Sequence, residues 1–104
     1  MLKEAVKNLR SLLRRKKRAM LVGAGPAEYA LLRQLQRDNE YEVLFLIDDD
    51  PWNHRTRMEG AELRYPVEAA KLCDNYDIDV VFFVDETKLE ELPTLPCEIR
   101  RLEH

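Results

Sequence analysis

The chain has 104 residues, which is enough for one domain with one hydrophobic core and too few for a two-domain dehydrogenase. Hydrophobic residues make up 45% and charged residues 36%, as in an ordinary globular protein, and apolar runs such as Val80 to Val84 are too short to span a membrane. The formal net charge is −3 and the first residues have no signal-peptide pattern, so we expect a cytoplasmic domain.

The small net charge hides a strongly basic start. Residues 1–18 carry eight lysines and arginines against one glutamate, a net charge of +7, which leaves −10 on the rest of the chain. An amphipathic leader helix over residues 1–18 is predicted from the helical spacing of Leu2, Val6, Leu9, Leu12 and Leu13. This helix either packs on the domain or on a second copy, making a homo-oligomer, or forms the cytoplasmic juxtamembrane segment of a longer protein. Nucleic-acid binding is disfavoured because no aromatic residues interleave the charges.

The first predicted strand of the domain, Met20 to Val22, runs into a glycine turn followed by a helix. Glycines permit a tight turn and let backbone N–H groups approach a phosphate at the positive end of a helix. We therefore expect this turn to bind the phosphates of a nucleotide. Its residues are Gly23, Ala24, Gly25, Pro26 and Ala27.

Glu28 stands where the G-x-G-x-x-G fingerprint has its third glycine. In one interpretation its carboxylate repels a pyrophosphate bound at the turn. In the other, Glu28 is a solvated residue that complements the helix dipole, and the glycine turn survives only as architecture. The inner face of this helix is expected to carry Ala27, Ala30, Leu31 and Leu35, and the helix is expected to end at residues 38–40.

The second strand, Glu42 to Ile47, is mostly apolar, as is typical of a parallel strand covered on both faces. Asp48 follows it, 25 residues after Gly23, where an acidic side chain accepts hydrogen bonds from the adenine-ribose hydroxyls of a dinucleotide. We assign Asp48 and the adjacent Asp49 to the ribose. Because the glycines, the strand and Asp48 agree, a working nucleotide site is favoured over a vestigial one.

Residues 51–60 are predicted to form a loop. Arg55 or Arg57 would meet a 2′-phosphate there, and Trp52 would cover an adenine face. The alternative, which is favoured, is that Trp52 packs over the sheet edge and the arginines are solvated. We expect NAD(H) as cofactor, and NADP, coenzyme A and a UDP-sugar stay open.

The rest of the chain completes an α/β pattern. In chain order we predict a short strand at Glu62 to Tyr65, a helix from Pro66 through Cys73, a central strand at Ile78 to Val84, a short helix begun by a capping box at Thr87 to Glu90, and an edge strand at Cys97 to Arg101. This order gives a small three-layer Rossmann-like domain over residues 19–101 with a mostly parallel sheet of four or five strands. Residues 102–104 look like the start of a purification tag.

Catalytic groups are sparse. None of the four tyrosines has a lysine four positions later, so the Tyr-x-x-x-Lys pair of short-chain dehydrogenases is absent, and Ser11 is the only serine. Cys73 and Cys97 lack metal-ligand spacing, so we expect reduced, structural thiols and no metal site. The chain is therefore expected to be non-catalytic by itself.

Four segments occur in order along the chain, namely Gly23 to Glu28, Ile47 to Pro51, Gly60 to Leu63 and Ile78 to Val81. Together they resemble the nucleotide-binding domain of membrane-associated polysaccharide-biosynthesis proteins, the nucleoside-diphosphate-sugar epimerases and dehydratases and the related sugar-phosphate transferases. The resemblance implies a parent protein with transmembrane helices before Met1 and a catalytic domain after Arg101, with this module on the cytoplasmic side. Two other functions stay open: a structural or dimerising spacer with a vestigial site, and a regulatory dinucleotide-sensing domain.

Overall fold

The computed structural model describes residues 16–38 and 40–103, which form a six-stranded sheet covered by helices. The strands are β1 (Lys17–Val22), β2 (Tyr41–Ile47), β3 (Arg57–Met58), β4 (Ala61–Arg64), β5 (Val80–Phe83) and β6 (Glu98–Arg101). The α-helices are α1 (Pro26–Arg37) and α2 (Ala69–Asn75), and two 3₁₀ helices span Pro66–Glu68 and Glu86–Glu91.

The strand order across the sheet is β3-β4-β2-β1-β5-β6. Every neighbouring pair is parallel except β3 with β4. The chain moves outward from β1 through β2 to β4 and then crosses back to β5, so its direction reverses between β1 and β5. In open α/β sheets this reversal opens a crevice at the carboxyl ends of the strands, where ligands bind. The predicted α/β class with a mostly parallel sheet is confirmed.

Two apolar clusters, one on each face of the sheet, form the core. Ala19 and Leu21 of β1 belong to the cluster under α1, and Met20 and Val22 belong to the cluster under α2. All four side chains are at most 2% exposed, because successive strand residues point to opposite faces that are both covered. This alternation gives the three layers that the sequence predicts.

The buried face of α1 differs from the predicted one. Leu31 and Leu32 are buried and Leu35 is half-buried, but Ala30 is exposed and Glu28 is buried. The prediction of Ala30 as an inner residue is therefore wrong. The inward stripe is shifted toward residues 28, 32 and 35, which brings the Glu28 side chain back over the turn before the helix.

The sheet gains a sixth strand inside the loop predicted at residues 51–60. β3 pairs with β4 through a turn in which Glu59 and Gly60 have φ values of 49° and 84°. Positive φ at both central residues is the geometry of a tight hairpin. The sequence prediction missed this hairpin because Glu-Gly is not among the dipeptides that signal such turns.

Several predicted boundaries shift at the ends of the domain. Lys17 and Arg18, predicted to end the leader helix, belong to β1 and pair with Tyr41 and Glu42 of β2. Residues 1–15 of the predicted leader helix lie outside the described residues. β5 is an interior strand, flanked by β1 and β6, and β6 is the predicted edge strand. Leu102, one of the residues expected to begin a tag, continues the β6 pairing by donating its N–H to the carbonyl of Phe83, and it packs against the core.

Candidate functional site at the glycine turn

The glycine turn lies at the carboxyl end of β1, at the point where the strand order reverses. The N–H of Gly23 donates to the carbonyl of Ile47 at 2.7 Å, which ties the turn to the end of β2. Gly23 has a φ of +108°, which L side chains rarely adopt. A Cβ at this position would also lie 2.9 Å from the Nζ of Lys88 and 3.0 Å from the Cδ of Glu28. Glycine is therefore required here by its conformation, and a side chain would in addition displace the ends of the Lys88 and Glu28 side chains.

Glu28 folds back onto the turn instead of pointing to solvent. Its Oε1 accepts a hydrogen bond from the backbone N–H of Gly25 at 3.0 Å, and the residue is only 5% exposed. This is the acidic half of a capping box, with Glu28 at the third helical position and Gly25 as the N-cap. The interpretation of Glu28 as a solvated residue is therefore wrong. Its carboxylate occupies the space beside the Gly25 N–H, which we call the anion position.

Lys88 completes the anion position from the other side of the crevice. Its Nζ lies 3.8 Å from the Oε2 of Glu28, and the Lys88 side chain is 34% exposed. Lys88 belongs to the 3₁₀ helix that follows β5, the strand next to β1. The sequence alone predicts no ligand role for Lys88. A basic residue shortly after the strand that pairs with β1 would, once the strand order is known, indicate a cation near the glycine turn.

Asp85 fixes the start of the 3₁₀ helix that carries Lys88. Its Oδ1 accepts hydrogen bonds from the hydroxyl of Thr87 at 2.6 Å and from the N–H of Thr87 at 3.0 Å. The hydroxyl bond and then the N–H bond lower the pKa of the Asp85 carboxyl. The helix is thus capped by Asp85 and spans Glu86–Glu91, and the prediction of Thr87 as the capping residue is wrong.

Asp48 follows the last residue of β2, one strand away from the glycine turn. Its N–H donates to the carbonyl of Arg64 at 3.0 Å, which continues the pairing of β2 with β4. Its Oδ2 accepts from the N–H of Asp50 at 3.3 Å, and the side chain is half-buried. Asp49 is exposed. Asp48 therefore lies at the same sheet edge as the glycine turn.

Asp50 organises the loop that follows. Its carboxylate accepts from the N–H of Trp52 at 2.9 Å and from the side-chain amide of Asn53. Trp52 is 90% exposed, so the expectation that it packs over the sheet edge is wrong. An exposed indole in the loop after Asp48 is available to a ligand at this edge.

Arg55 and Arg57 are exposed and line a different cavity, of about 320 Å³. Its wall is formed by Leu44, Phe45, Arg55, Arg57, Gly60, Glu62, Arg64 and Tyr76, so it includes neither the glycine turn nor Asp48. The structure thus brings the residues of the turn and Asp48 to one edge and places Arg55 elsewhere. A role for Arg55 as a 2′-phosphate ligand stays a prediction without support from this geometry.

A second cavity, of about 430 Å³, adjoins the turn on the outer side of α1. It is lined by Ala24, Gly25, Pro26, Tyr29, Ala30 and Arg33.

Among residues 16–38 and 40–103, no three histidine, cysteine, aspartate or glutamate side chains are grouped to hold a metal ion. None of the helices described here has the length and hydropathy of a membrane span.

Comparisons with known proteins give structural neighbours. No protein-family model and no curated protein matches the sequence. The chain is similar in structure to UDP-D-quinovosamine 4-dehydrogenase from Vibrio fischeri, with 26% identity and a TM-score of 0.74 over 86% of this chain and 80% of that chain.

The Rex-family repressor RSP is also similar. Its complex with β-NADH matches with 12% identity and a TM-score of 0.64 over 97% of this chain and 61% of that chain. Its complex with β-NAD⁺ and operator DNA matches with 13% identity and a TM-score of 0.62 over 97% of this chain and 58% of that chain. The chain spans about 60% of the repressor's length. These neighbours confirm that the chain has the Rossmann-like fold of a nucleotide-binding domain.

Proposed function

We propose that this chain is an NAD(H)-type dinucleotide-binding module, non-catalytic by itself. The observation that carries the proposal is the joint position of the Gly23–Gly25 turn and Asp48 at the carboxyl edge of β1 and β2, beside the crevice. In this arrangement backbone N–H groups of the turn bind the pyrophosphate, and Asp48 accepts hydrogen bonds from the adenine ribose. A neighbour that binds β-NADH on the same fold supports the choice of dinucleotide.

The finer part of the proposal concerns the parent reaction. The resemblance of four segments to nucleotide-sugar epimerases and dehydratases agrees with a sugar-nucleotide dehydrogenase among the structural neighbours. We infer that the module serves such an enzyme of surface-polysaccharide synthesis, attached to the rest of its chain on the cytoplasmic side. Its partners are then a nucleotide, its own parent chain and, in a homo-oligomer, a second copy, rather than nucleic acid, and it reaches the membrane only through the parent chain.

The test is an affinity comparison by calorimetry with NADH, NADPH, coenzyme A and a UDP-sugar. We expect NADH to bind the unaltered chain, and we expect Asp48→Asn to weaken this binding by about tenfold, because a charged acceptor of ribose hydroxyl groups is lost. The control variant is Asp74→Asn, an exposed aspartate on α2 that lies outside the turn and β2. Absence of NADH binding at millimolar concentration would contradict the proposal.

A structural spacer with a vestigial site is the second candidate. It is favoured by one observation, namely that the carboxylate of Glu28 already accepts the N–H of Gly25. This candidate predicts equal and negligible responses of the unaltered chain, Asp48→Asn and Asp74→Asn to every nucleotide. A regulatory dinucleotide sensor, the third candidate, predicts NADH binding that changes the behaviour of another domain of the parent chain.

A further inference from the structure

We propose that Lys88 is a phosphate-binding residue and that Glu28 is an internal anion which the dinucleotide must displace. The inference rests on the proposed function and identifies what sets the affinity of the site. The Glu28 carboxylate has two partners, the N–H of Gly25 at 3.0 Å and the Nζ of Lys88 at 3.8 Å. These are a backbone donor at a helix start and a cation, the two kinds of group that bind a phosphate.

The space at the turn does not admit both anions. The Glu28 side chain is 6% exposed and fills the region in front of the two glycines. A Cβ on Gly25 would lie 2.8 Å from its Oε1, and a Cβ on Gly23 would lie 3.0 Å from its Cγ and Cδ. A phosphate oxygen that accepts the Gly25 N–H must therefore take the place of the Glu28 carboxylate, which then has to turn outward from α1.

The Lys88 side chain can keep its position at the turn when the Glu28 carboxylate is displaced. Its ammonium group lies against the turn, 2.9 Å from the position of a Gly23 Cβ, and it belongs to a separate 3₁₀ helix whose first turn is held by Asp85. When Glu28 leaves, an incoming phosphate takes its place as the anion beside this ammonium, whose charge also acts on the Asp85 carboxyl. The exchange keeps the cation paired, so the displacement of Glu28 from the Gly25 N–H is the cost that this site adds to the usual costs of association.

The charge of the ligand should therefore decide whether substitutions of Glu28 and Lys88 change its affinity. A pyrophosphate-containing ligand competes with Glu28 and pairs with Lys88, whereas adenosine carries no phosphate and leaves both residues in place. Glu28→Gln isolates the charge because a glutamine oxygen still accepts the Gly25 N–H and keeps the capping box. Lys88→Gln removes the cation at similar length.

The experiment measures dissociation constants for NADH, inorganic pyrophosphate and adenosine in the full chain. We expect Glu28→Gln to tighten NADH and pyrophosphate binding by about three- to tenfold, and Lys88→Gln to weaken both by a similar factor. The factors are modest because the charged end of the site, at Lys88, is partly exposed to solvent. Adenosine binding should change in neither variant. Glu90→Gln and Lys71→Gln, on exposed positions of the same 3₁₀ helix and of α2, are the matched charge controls. Melting temperatures close to that of the unaltered chain establish that each variant is folded.

The outcomes separate this inference from the proposed function. If NADH binds the unaltered chain but Glu28→Gln and Lys88→Gln behave like their controls, the displacement is refuted and the dinucleotide site stands. If pyrophosphate binds Glu28→Gln tightly but NADH does not, the anion exchange is supported and the dinucleotide proposal fails. If neither NADH nor pyrophosphate binds any variant, both are overturned.

Discussion

Gly23 connects the backbone of the turn with the packing of the site. Its φ of +108° is strained for any L residue, and the space where a side chain would stand is filled by Lys88 and Glu28. Gly60 has a similar φ of +84°, but a Cβ there would have its nearest contact with the Nε2 of Gln36 at 3.7 Å, an ordinary van der Waals distance. A substitution of Gly60 therefore tests backbone strain alone, whereas a substitution of Gly23 adds a steric conflict to the strain.

We predict that Gly23→Ala destabilises the chain more than Gly60→Ala does. Both variants should lose about 1–2 kcal/mol of unfolding free energy, because alanine is forced into a left-handed conformation. Gly23→Ala should lose up to about 1 kcal/mol more, because the Lys88 and Glu28 side chains must shift to admit its methyl group. Urea unfolding of the two variants measures the difference. Equal losses would show that Glu28 and Lys88 are not packed against the turn.

The two thiols also differ in their surroundings. The Sγ atoms of Cys73 and Cys97 lie 3.4 Å apart, with Cys73 buried on α2 and Cys97 half-buried before β6. Burial first, and then the contact with Cys97, raise the pKa of Cys73 to about 12. Cys73 is therefore both inaccessible and protonated at neutral pH, and the thiolate is the form that reacts.

We predict that iodoacetamide at pH 8 alkylates Cys97 well before Cys73 in the folded chain. Peptide mass spectrometry after timed quenching gives the two rates, and the same reaction in concentrated urea is the control in which both thiols should react. Rapid labelling of Cys73 in the folded chain would mean that α2 does not pack on the sheet as described.

Among the elements, β1, α1 and β2 are predictable from the sequence because their signals are local. Apolar runs end at Gly23 and at Asp48, and Pro26 starts the helix between them. The β3–β4 hairpin and the position of Lys88 are not predictable in this way. The hairpin is local, but its Glu59-Gly60 turn is not among the dipeptides that signal one. The position of Lys88 depends on contacts between residues far apart in the chain, such as its 3.8 Å approach to Glu28 across the crevice. The burial of Glu28 could not be predicted either, because the apolar Ala30 led the sequence pattern to place the wrong face of α1 inward.

The 3₁₀ helix that leads into α2 is fixed by an ionic cluster outside the candidate site. Glu68 contacts the guanidinium of Arg64 at 3.0 Å, the ring of His54 at 3.0 Å and the N–H of Tyr65 at 2.7 Å. Burial raises the pKa of Glu68, but the hydrogen bonds from Arg64, His54 and Tyr65 outweigh it and lower the pKa to about 2. The cluster links β4, the loop after β2 and the start of α2.

We predict that Glu68→Gln removes a pH-dependent part of the stability. A carboxyl whose pKa falls from 4.5 to about 2 on folding stabilises the chain above pH 4.5, and this contribution is lost as the pH falls toward 2. The variant should be less stable by about 1–3 kcal/mol at pH 7, and its stability should fall less steeply than that of the unaltered chain between pH 4.5 and 2. Thermal unfolding across this range is the measurement, with Glu90→Gln as control. Parallel curves for all three proteins would contradict the cluster's role.

For the molecule as a whole, the sheet separates two edges with different chemistry. The carboxyl edge carries the glycine turn, Asp48 and Lys88, which come from three separate segments of the chain. The amino edge carries a cavity of about 250 Å³, whose wall includes Tyr41, Asp79 and Glu98. A dinucleotide bound as proposed touches the first edge and leaves the second unaffected, so the amino edge serves as an internal control.

The most direct measurement is a map of backbone amide shifts in the ¹⁵N-labelled chain titrated with NADH. We predict saturable shifts at Gly23 to Ala27, at Asp48 and Asp49, and at Lys88, with no comparable shifts at Tyr41, Asp79 or Glu98. The largest response is expected at Gly25, whose N–H exchanges the carboxylate of Glu28 for a phosphate oxygen. A chain whose Gly23 to Ala27 amides stay unshifted at millimolar NADH, or whose shifts fall at the amino edge, would contradict the central claim.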